Sequence, residues 1–273
     1  MRALVTGGAG FIGSHITDRL LADGHDVIVV DDLSTGHREN LASNPKLTFV
    51  EADIRDYEML ARHMHGIDWV FHKAAVASVP RTVEDPRGSS EVNYAGTLNV
   101  LEAARVHGAS RVVFASSAAL YGDEPTLPKT ESMLPVTLSP YAVDKLPSEY
   151  ACGMYTRLYG LDTVCLRYFN VYGPRQDPSS PYSGVISVFN DRLESGTTPT
   201  IFGDGEQTRD FVYVADVVEA NMLAATAADA VGTFMNIATG HRISLNELLR
   251  TFSDIKGGWP GTGNIDADPL FTN

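Results

Sequence analysis

The sequence predicts an α/β chain: a doubly wound parallel sheet with a smaller, interrupted C-terminal lobe. Three observations predict it. Short β-branched runs alternate with longer stretches of helical periodicity through the first half of the chain. Those runs are apolar almost throughout, as strands buried on both faces must be. A glycine-rich turn joins the first run to the first helical stretch.

The elements follow in order. ALVT at residues 3–6 is the first expected strand, and a helix is expected near 12–23. DVIVVD at 26–31 and KLTFVEAD at 46–53 are the next strands, then a helix near 57–65 and the strand DWVFHKA at 68–74. GTLNVLEAARV places apolar residues at helical spacing, so one long helix is expected over 87–107. RVVFASS at 111–117 is a strand, and a helix near 140–159 leads to the strand DTVCLRYF at 162–169. Strand and helix in regular order imply right-handed crossovers. After Asn170 the pattern loosens. VYGPRQDPSSPYSG reads as a loop, with a short helix near 185–195, the turn FGDGEQTRD, and DFVYVADVVEANMLAAT as a strand leading into a helix. The expected division is therefore residues 1–168 plus about 211–240 as one domain, and about 169–210 with 241–273 as the smaller lobe.

Composition narrows the classes. The chain has 273 residues, and 44% hydrophobic content is ample for a large core. Net charge is −13, an acidic balance that argues against general nucleic-acid binding. No apolar run approaches the roughly 20 residues needed to span a bilayer, so no membrane partner is expected. The chain opens directly on RALVTGGAG without a charged leader, so a cytoplasmic location is expected. Cys152 and Cys165 lie in an expected helix and strand, outside any metal-ligand spacing; they read as buried thiols, and no metal site is expected.

TGGAGFIGS places Gly7, Gly10 and Gly13 directly after a strand and at the start of a helix. The first glycine permits a tight turn, the second a close approach to a diphosphate, the third close packing of helix on strand. N–H groups and the helix dipole near Phe11 and Ile12 then favour negative charge. Asp31 closes the next strand, where a carboxylate can accept hydrogen bonds from ribose hydroxyls and would repel a 2′-phosphate. With Asp32 beside it, NAD is the expected cofactor in preference to NADP. Asp53 and Ile54, after the third strand, would suit the adenine.

SPYAVDK sets Tyr141 and Lys145 four residues apart, one turn apart on one helical face. Ser139 is the expected N-cap and Pro140 suits the first helical position. A nearby ammonium favours the phenolate, so Tyr141 is a candidate general base. Ser116 and Ser117 end the strand before that helix. Pro147 should bend or open the helix just after Lys145.

Together, TGGAGFIGS, SSAALYG, SPYAVDK, LRYFNVYGPRQ and TRDFVYVADV resemble the extended short-chain dehydrogenase/reductase family over about residues 2–250. Within it, the nucleotide-sugar 4-epimerases of the UDP-glucose/UDP-galactose type are the nearest match. The resemblance implies a Rossmann-like domain, a bound NAD that is reduced and reoxidised in each cycle, and a UDP-sugar substrate whose C4 is inverted through a 4-keto sugar. It implies Tyr141 as base, Lys145 as its cationic partner, and Ser117 as the hydroxyl on the same sugar oxygen. Ala74 and Asn93 would join the cofactor contacts. Asn170, Phe202 and Arg209 would hold the nucleotide. A homodimer through a four-helix bundle of the 87–107 and 140–159 helices is also implied. Sugar 4,6-dehydratases of the family carry an acid pair where Ala118 and Ala119 stand, and sugar-acid decarboxylases keep a Glu at the second position. A methyl group moves no proton, so these alanines favour epimerisation over elimination.

Beyond ISLNELLRTF the chain departs from the family. SDIKGGWPGTGNIDADPLFTN replaces a segment expected to supply a further phosphate-binding arginine, and its end resembles a turn of a parallel β-helix. A foreign or truncated terminus and weakened UDP-sugar affinity are expected. Two alternatives stay open: another NAD(P)-dependent nucleotide-sugar oxidoreductase, or a non-catalytic NAD-binding member. Whether the sugar is of the glucose, N-acetylhexosamine or glucuronate series is also open.

Overall fold

The computed structural model describes residues 1–177, 184–195, 200–201 and 203–258. Phe202 and the terminal segment 259–273 lie outside the described residues. The chain forms two compact units, Met1–Tyr168 with Val217–Ile237, and Phe169–Asp216 with Ala238–Asn273. The strands are β1 Arg2–Thr6, β2 Asp26–Asp31, β3 Leu47–Glu51, β4 Trp69–His72, β5 Arg111–Ser117, β6 Asp162–Tyr168, β7 Asn170–Tyr172, β8 Thr208–Arg209, β9 Phe211–Tyr213, β10 Phe234–Ile237 and β11 Ile243–Ser244. The helices are α1 Phe11–Ala22, α2 Tyr57–Met64, α3 Val79–Glu84, α4 Pro86–Ser90, α5 Gly96–His107, α6 Pro140–Tyr159, α7 Val185–Glu194, α8 Val214–Thr226 and α9 Leu245–Gly258.

In the first unit seven parallel strands lie in the order β10-β6-β5-β4-β1-β2-β3. This is the doubly wound arrangement the sequence predicts. Its strand order reverses at β1, which pairs with β2 on one side and β4 on the other. A crevice opens at such a switch point, outside the carboxyl ends of the strands. Ala3, Leu4 and Val5 have no exposed surface, because helices cover both faces of the sheet. On one face Leu4, Val30, Val70 and Phe114 pack with Val100, Leu101 and Ala104 of α5 and Cys152 and Tyr155 of α6.

Two local expectations change. The helix expected over 87–107 forms, but it carries a π-turn within it. Asp85 caps α4 by accepting from Gly88 N–H, and Glu91–Ala95 form a π-turn before α5. Inside that turn Asn93 is buried, and its side chain both donates to and accepts from the backbone of Val76. α6, in contrast, runs unbroken through Pro147 to an αL cap at Gly160. Its start follows expectation: Ser139 accepts from Ala142 N–H and Pro140 is the first residue.

The second unit is built on two short ladders, β7 with β9 and β8 with β11. Its core joins Tyr172, Ile186, Phe189, Phe211, Leu248 and Phe252. A reciprocal capping box starts α9: Glu247 N–H donates to Ser244 Oγ, and Ser244 N–H to Glu247 Oε2.

Candidate active site

The glycine turn after β1 is a cradle that side chains would fill. Gly7 has φ +66°, and a Cβ there would lie 2.6 Å from Ala74 N; one on Gly13 would lie 2.1 Å from Gly7 O. Both glycines are therefore required by the backbone approach itself. Gly10 is the N-cap of α1 and offers no side-chain cap, so the turn through Phe11 and Ile12 presents backbone N–H groups. Asp31, at the end of β2, is buried, and its carboxylate accepts from Ala9 N–H and Leu33 N–H. Burial raises its pKa, and those two N–H bonds oppose the rise. Asp31 thus ties the glycine turn to the strand that would face a ribose. Asp32 is exposed and accepts from Ser34. These features fit a dinucleotide with an unphosphorylated ribose. Asp53 and Ile54 are differently placed: Arg55 binds the Asp53 carboxylate and lowers its pKa, while Ile54 is buried against Gly96.

Three consecutive residues at the end of β5 are each bonded to α6. Lys145 Nζ donates to Ala115 O at 2.8 Å, Ser116 Oγ donates to Glu149 Oε1 at 2.6 Å, and Ser117 is hydrogen-bonded to the Tyr141 phenol. Ser117 Oγ also accepts from Ala119 N–H at 3.1 Å, opening the 3-10 turn Ala118–Tyr121. Ala118 and Ala119 are partly exposed beside it. Burial pushes the Tyr141 phenol upward, and its bond to Ser117 works against that shift. Burial pushes the Lys145 ammonium down to about 8. Desolvation dominates the shift of the phenol, and the Lys145 ammonium beside it is anchored to the β5 backbone.

Several residues the sequence reading did not single out join this cluster. Lys73, just past β4, donates to Val113 O and to the Tyr168 hydroxyl, and Asn221 donates to the same hydroxyl. Burial, and then the Lys145 charge, hold its pKa well below the ordinary lysine value. His72 bridges Thr6 and Thr97 within hydrogen-bond distance. Only a lysine breaking an apolar strand end, HKAA, hinted at this in the sequence. Glu149 forms a fully buried ion pair with Arg167, whose Nη1 also donates to the Tyr121 hydroxyl.

The second unit carries Asn170 and Arg209. Asn170 donates through both its backbone N–H and its side chain to Asp210 O, the carbonyl next to Arg209. Arg209 is exposed on β8, opposite Ile243. Ala74 N–H donates to Thr6 Oγ1 at 3.3 Å, beside the glycine turn. Among the described residues no cluster of His, Cys, Asp or Glu could hold a metal, and no helix is long and apolar enough to cross a membrane.

The model of the NAD dependent epimerase/dehydratase family matches residues 3–238. A UDP-glucose 4-epimerase of Mycolicibacterium smegmatis is 46% identical over 91% of this chain and 80% of its own length. The crystal structure of a UDP-glucose 4-epimerase from Thermotoga maritima with UDP-glucose superposes with a TM-score of 0.90 at 42% identity, covering 94% of this chain and 83% of that one. A UDP-N-acetylglucosamine 4-epimerase from Methanobrevibacter ruminantium, in complex with UDP-N-acetylmuramic acid, gives 0.91 at 37% identity, covering 100% and 92%.

Proposed function

The chain belongs to the NAD dependent epimerase/dehydratase family, and within it we propose a UDP-sugar 4-epimerase. The observation that carries this choice is the pair Ala118–Ala119, directly after Ser117. Elimination across C5 and C6 of the sugar needs an acid and a base there; inversion at C4 needs neither.

Gly7, Gly10 and Gly13, with Phe11 and Ile12, would hold the NAD diphosphate, Asp31 and Asp32 its ribose, and Asp53, Ile54, Ala74 and Asn93 its remaining contacts. Bound NAD supplies reversible hydride acceptance at C4 of the sugar. Tyr141 takes the proton of the 4-hydroxyl as C4 is oxidised and gives it back as C4 is reduced. Ser117 holds the same oxygen by a hydrogen bond, and the Lys145 cation lowers the cost of the buried phenolate. The 4-keto sugar turns about its diphosphate between the two steps. Asn170, Phe202 and Arg209 hold the nucleotide while the sugar moves.

The protein acts in the cytoplasm as a homodimer. Val106 on α5 and Val143, Tyr150 and Leu158 on α6 are exposed apolar side chains that a helical bundle would cover. The test is incubation with UDP-galactose, UDP-N-acetylglucosamine and UDP-glucuronate, followed by separation of the epimers. Conversion at C4 without net change in reduced cofactor is expected, and Tyr141→Phe should abolish it. Stoichiometric cofactor consumption, a 6-deoxy product, or full activity in Tyr141→Phe would overturn the reading.

A further inference from the structure

We infer that Glu149 and Arg167 are positioning residues: they clamp the segment 116–121 at both ends and thereby hold the Ser117 hydroxyl in register with the Tyr141 phenol. This rests on the proposed roles of Ser117 and Tyr141.

Register creates the clamp. Ser116 on β5 pairs with Arg167 on β6. Arg167 grips Glu149 of α6 with two parallel bonds, Nε to Oε1 at 2.9 Å and Nη2 to Oε2 at 2.7 Å. Ser116 Oγ donates to the same Oε1 at 2.6 Å, which ties the front of the segment to the helix that carries Tyr141 and Lys145. The remaining arm of Arg167, Nη1, donates to the Tyr121 hydroxyl at 3.0 Å at the back of the segment. Tyr121 in turn donates to Asn236 Oδ1 of β10 at 2.6 Å. The four residues between these anchors are Ser117, Ala118, Ala119 and Leu120.

Stability does not explain so much buried polarity. The side chains of Arg167 and Glu149 are 2% and 3% exposed, and an ion pair that deep seldom improves on apolar packing of equal volume. What the fork provides is direction. Three planar N–H vectors from one guanidinium fix two partners at once, which a lysine cannot do. A hydroxyl misplaced by about 1 Å can cost a reaction roughly a hundredfold.

The experiment measures kcat, KM and melting for Arg167→Lys, Ser116→Ala and Tyr121→Phe, each alone and combined with Ser117→Ala. Each single variant is expected to lose about tenfold in kcat with KM for the UDP-sugar unchanged. In the Ser117→Ala background those losses should vanish, since the hydroxyl they position is gone. Losses that persist undiminished beside Ser117→Ala, or a fall in melting temperature with kcat intact, overturn the inference. If Arg167→Lys does not fold, the two milder variants decide alone. Wild-type activity in Ser117→Ala itself would instead overturn the site reading beneath it.

Discussion

The Lys145 ammonium donates to Ala115 O at 2.8 Å and stands 5.6 Å from the centre of the Tyr141 ring. The lysine is thus anchored to the strand with its ammonium beside the phenol ring. The contribution proposed for it at Tyr141 is that of a charge, which exists only while Lys145 is protonated.

The first prediction follows from burial. Lys145 is pushed from 10.5 down to about 8 by desolvation, so the native state releases its proton before the unfolded chain does. Between about pH 8 and 10.5 the unfolded state binds more protons, and stability rises with pH. Relative to Lys145→Met, wild-type stability should therefore climb across that window by up to ~3 kcal/mol. Urea titrations at pH 7.5, 9 and 10.5 would measure it. A constant gap between the two proteins would contradict the burial argument.

The second concerns the cradle. Gly7→Ala must accept φ +66° and a Cβ 2.6 Å from Ala74 N, and Gly13→Ala a Cβ 2.1 Å from Gly7 O. Each clash is with backbone, which cannot swing aside. NAD affinity by calorimetry should fall at least about tenfold in both, and each should be destabilised by roughly 1–3 kcal/mol. Unchanged NAD affinity in Gly13→Ala would show that the turn is not the cofactor cradle.

Much of this frame was legible in the sequence because local signals agreed with the tertiary outcome. β2 and β5 are continuous apolar runs, and α6 announces its start with Ser139 and Pro140. The Tyr141–Lys145 spacing was readable for the same reason, since a helix fixes which side chains share a face. What failed to show depends on partners distant in sequence. β10 is four residues, partly exposed, and is a strand only because β6 lies beside it. The π-turn at Asn93 reflects a bond to Val76, and no propensity encodes that. Glu149 and Arg167 look like ordinary charged residues until strand register brings Arg167 beside Ser116.

A third prediction tests the proposed dimer. Val143 and Tyr150 are seven residues apart on α6, hence on one face, and Tyr150 is 64% exposed. Tyr150→Glu should shift sedimentation from dimer to monomer while leaving the melting of the monomer fold within about 0.5 kcal/mol, as for other surface changes. A wild-type protein that sediments as a monomer would remove the premise.

The last prediction reads a tautomer from a chain of hydrogen bonds. Lys73 N–H and Ala74 N–H both donate to Thr6 Oγ1, which leaves the Thr6 proton to reach His72 Nδ1 at 2.7 Å. On the other side Thr97 donates to Asn93 O, so its oxygen accepts from His72 Nε2 at 2.9 Å. His72 is therefore neutral, protonated on Nε2, with no room for a second proton unless Thr6 turns away. Burial, and then the charges of Lys145 and Lys73, lower its pKa well below 6.5. In acid the unfolded chain protonates this histidine while the native state resists, so stability is lost as pH falls below about 6.5, at up to ~1.4 kcal/mol per pH unit. His72→Gln should be less stable than wild type at pH 7.5 by about 1–3 kcal/mol. The gap should narrow toward pH 5, because only the wild type carries the acid penalty. Parallel stability curves would mean that His72 protonates freely, and that the ordering of donors from Thr6 to Asn93 is wrong.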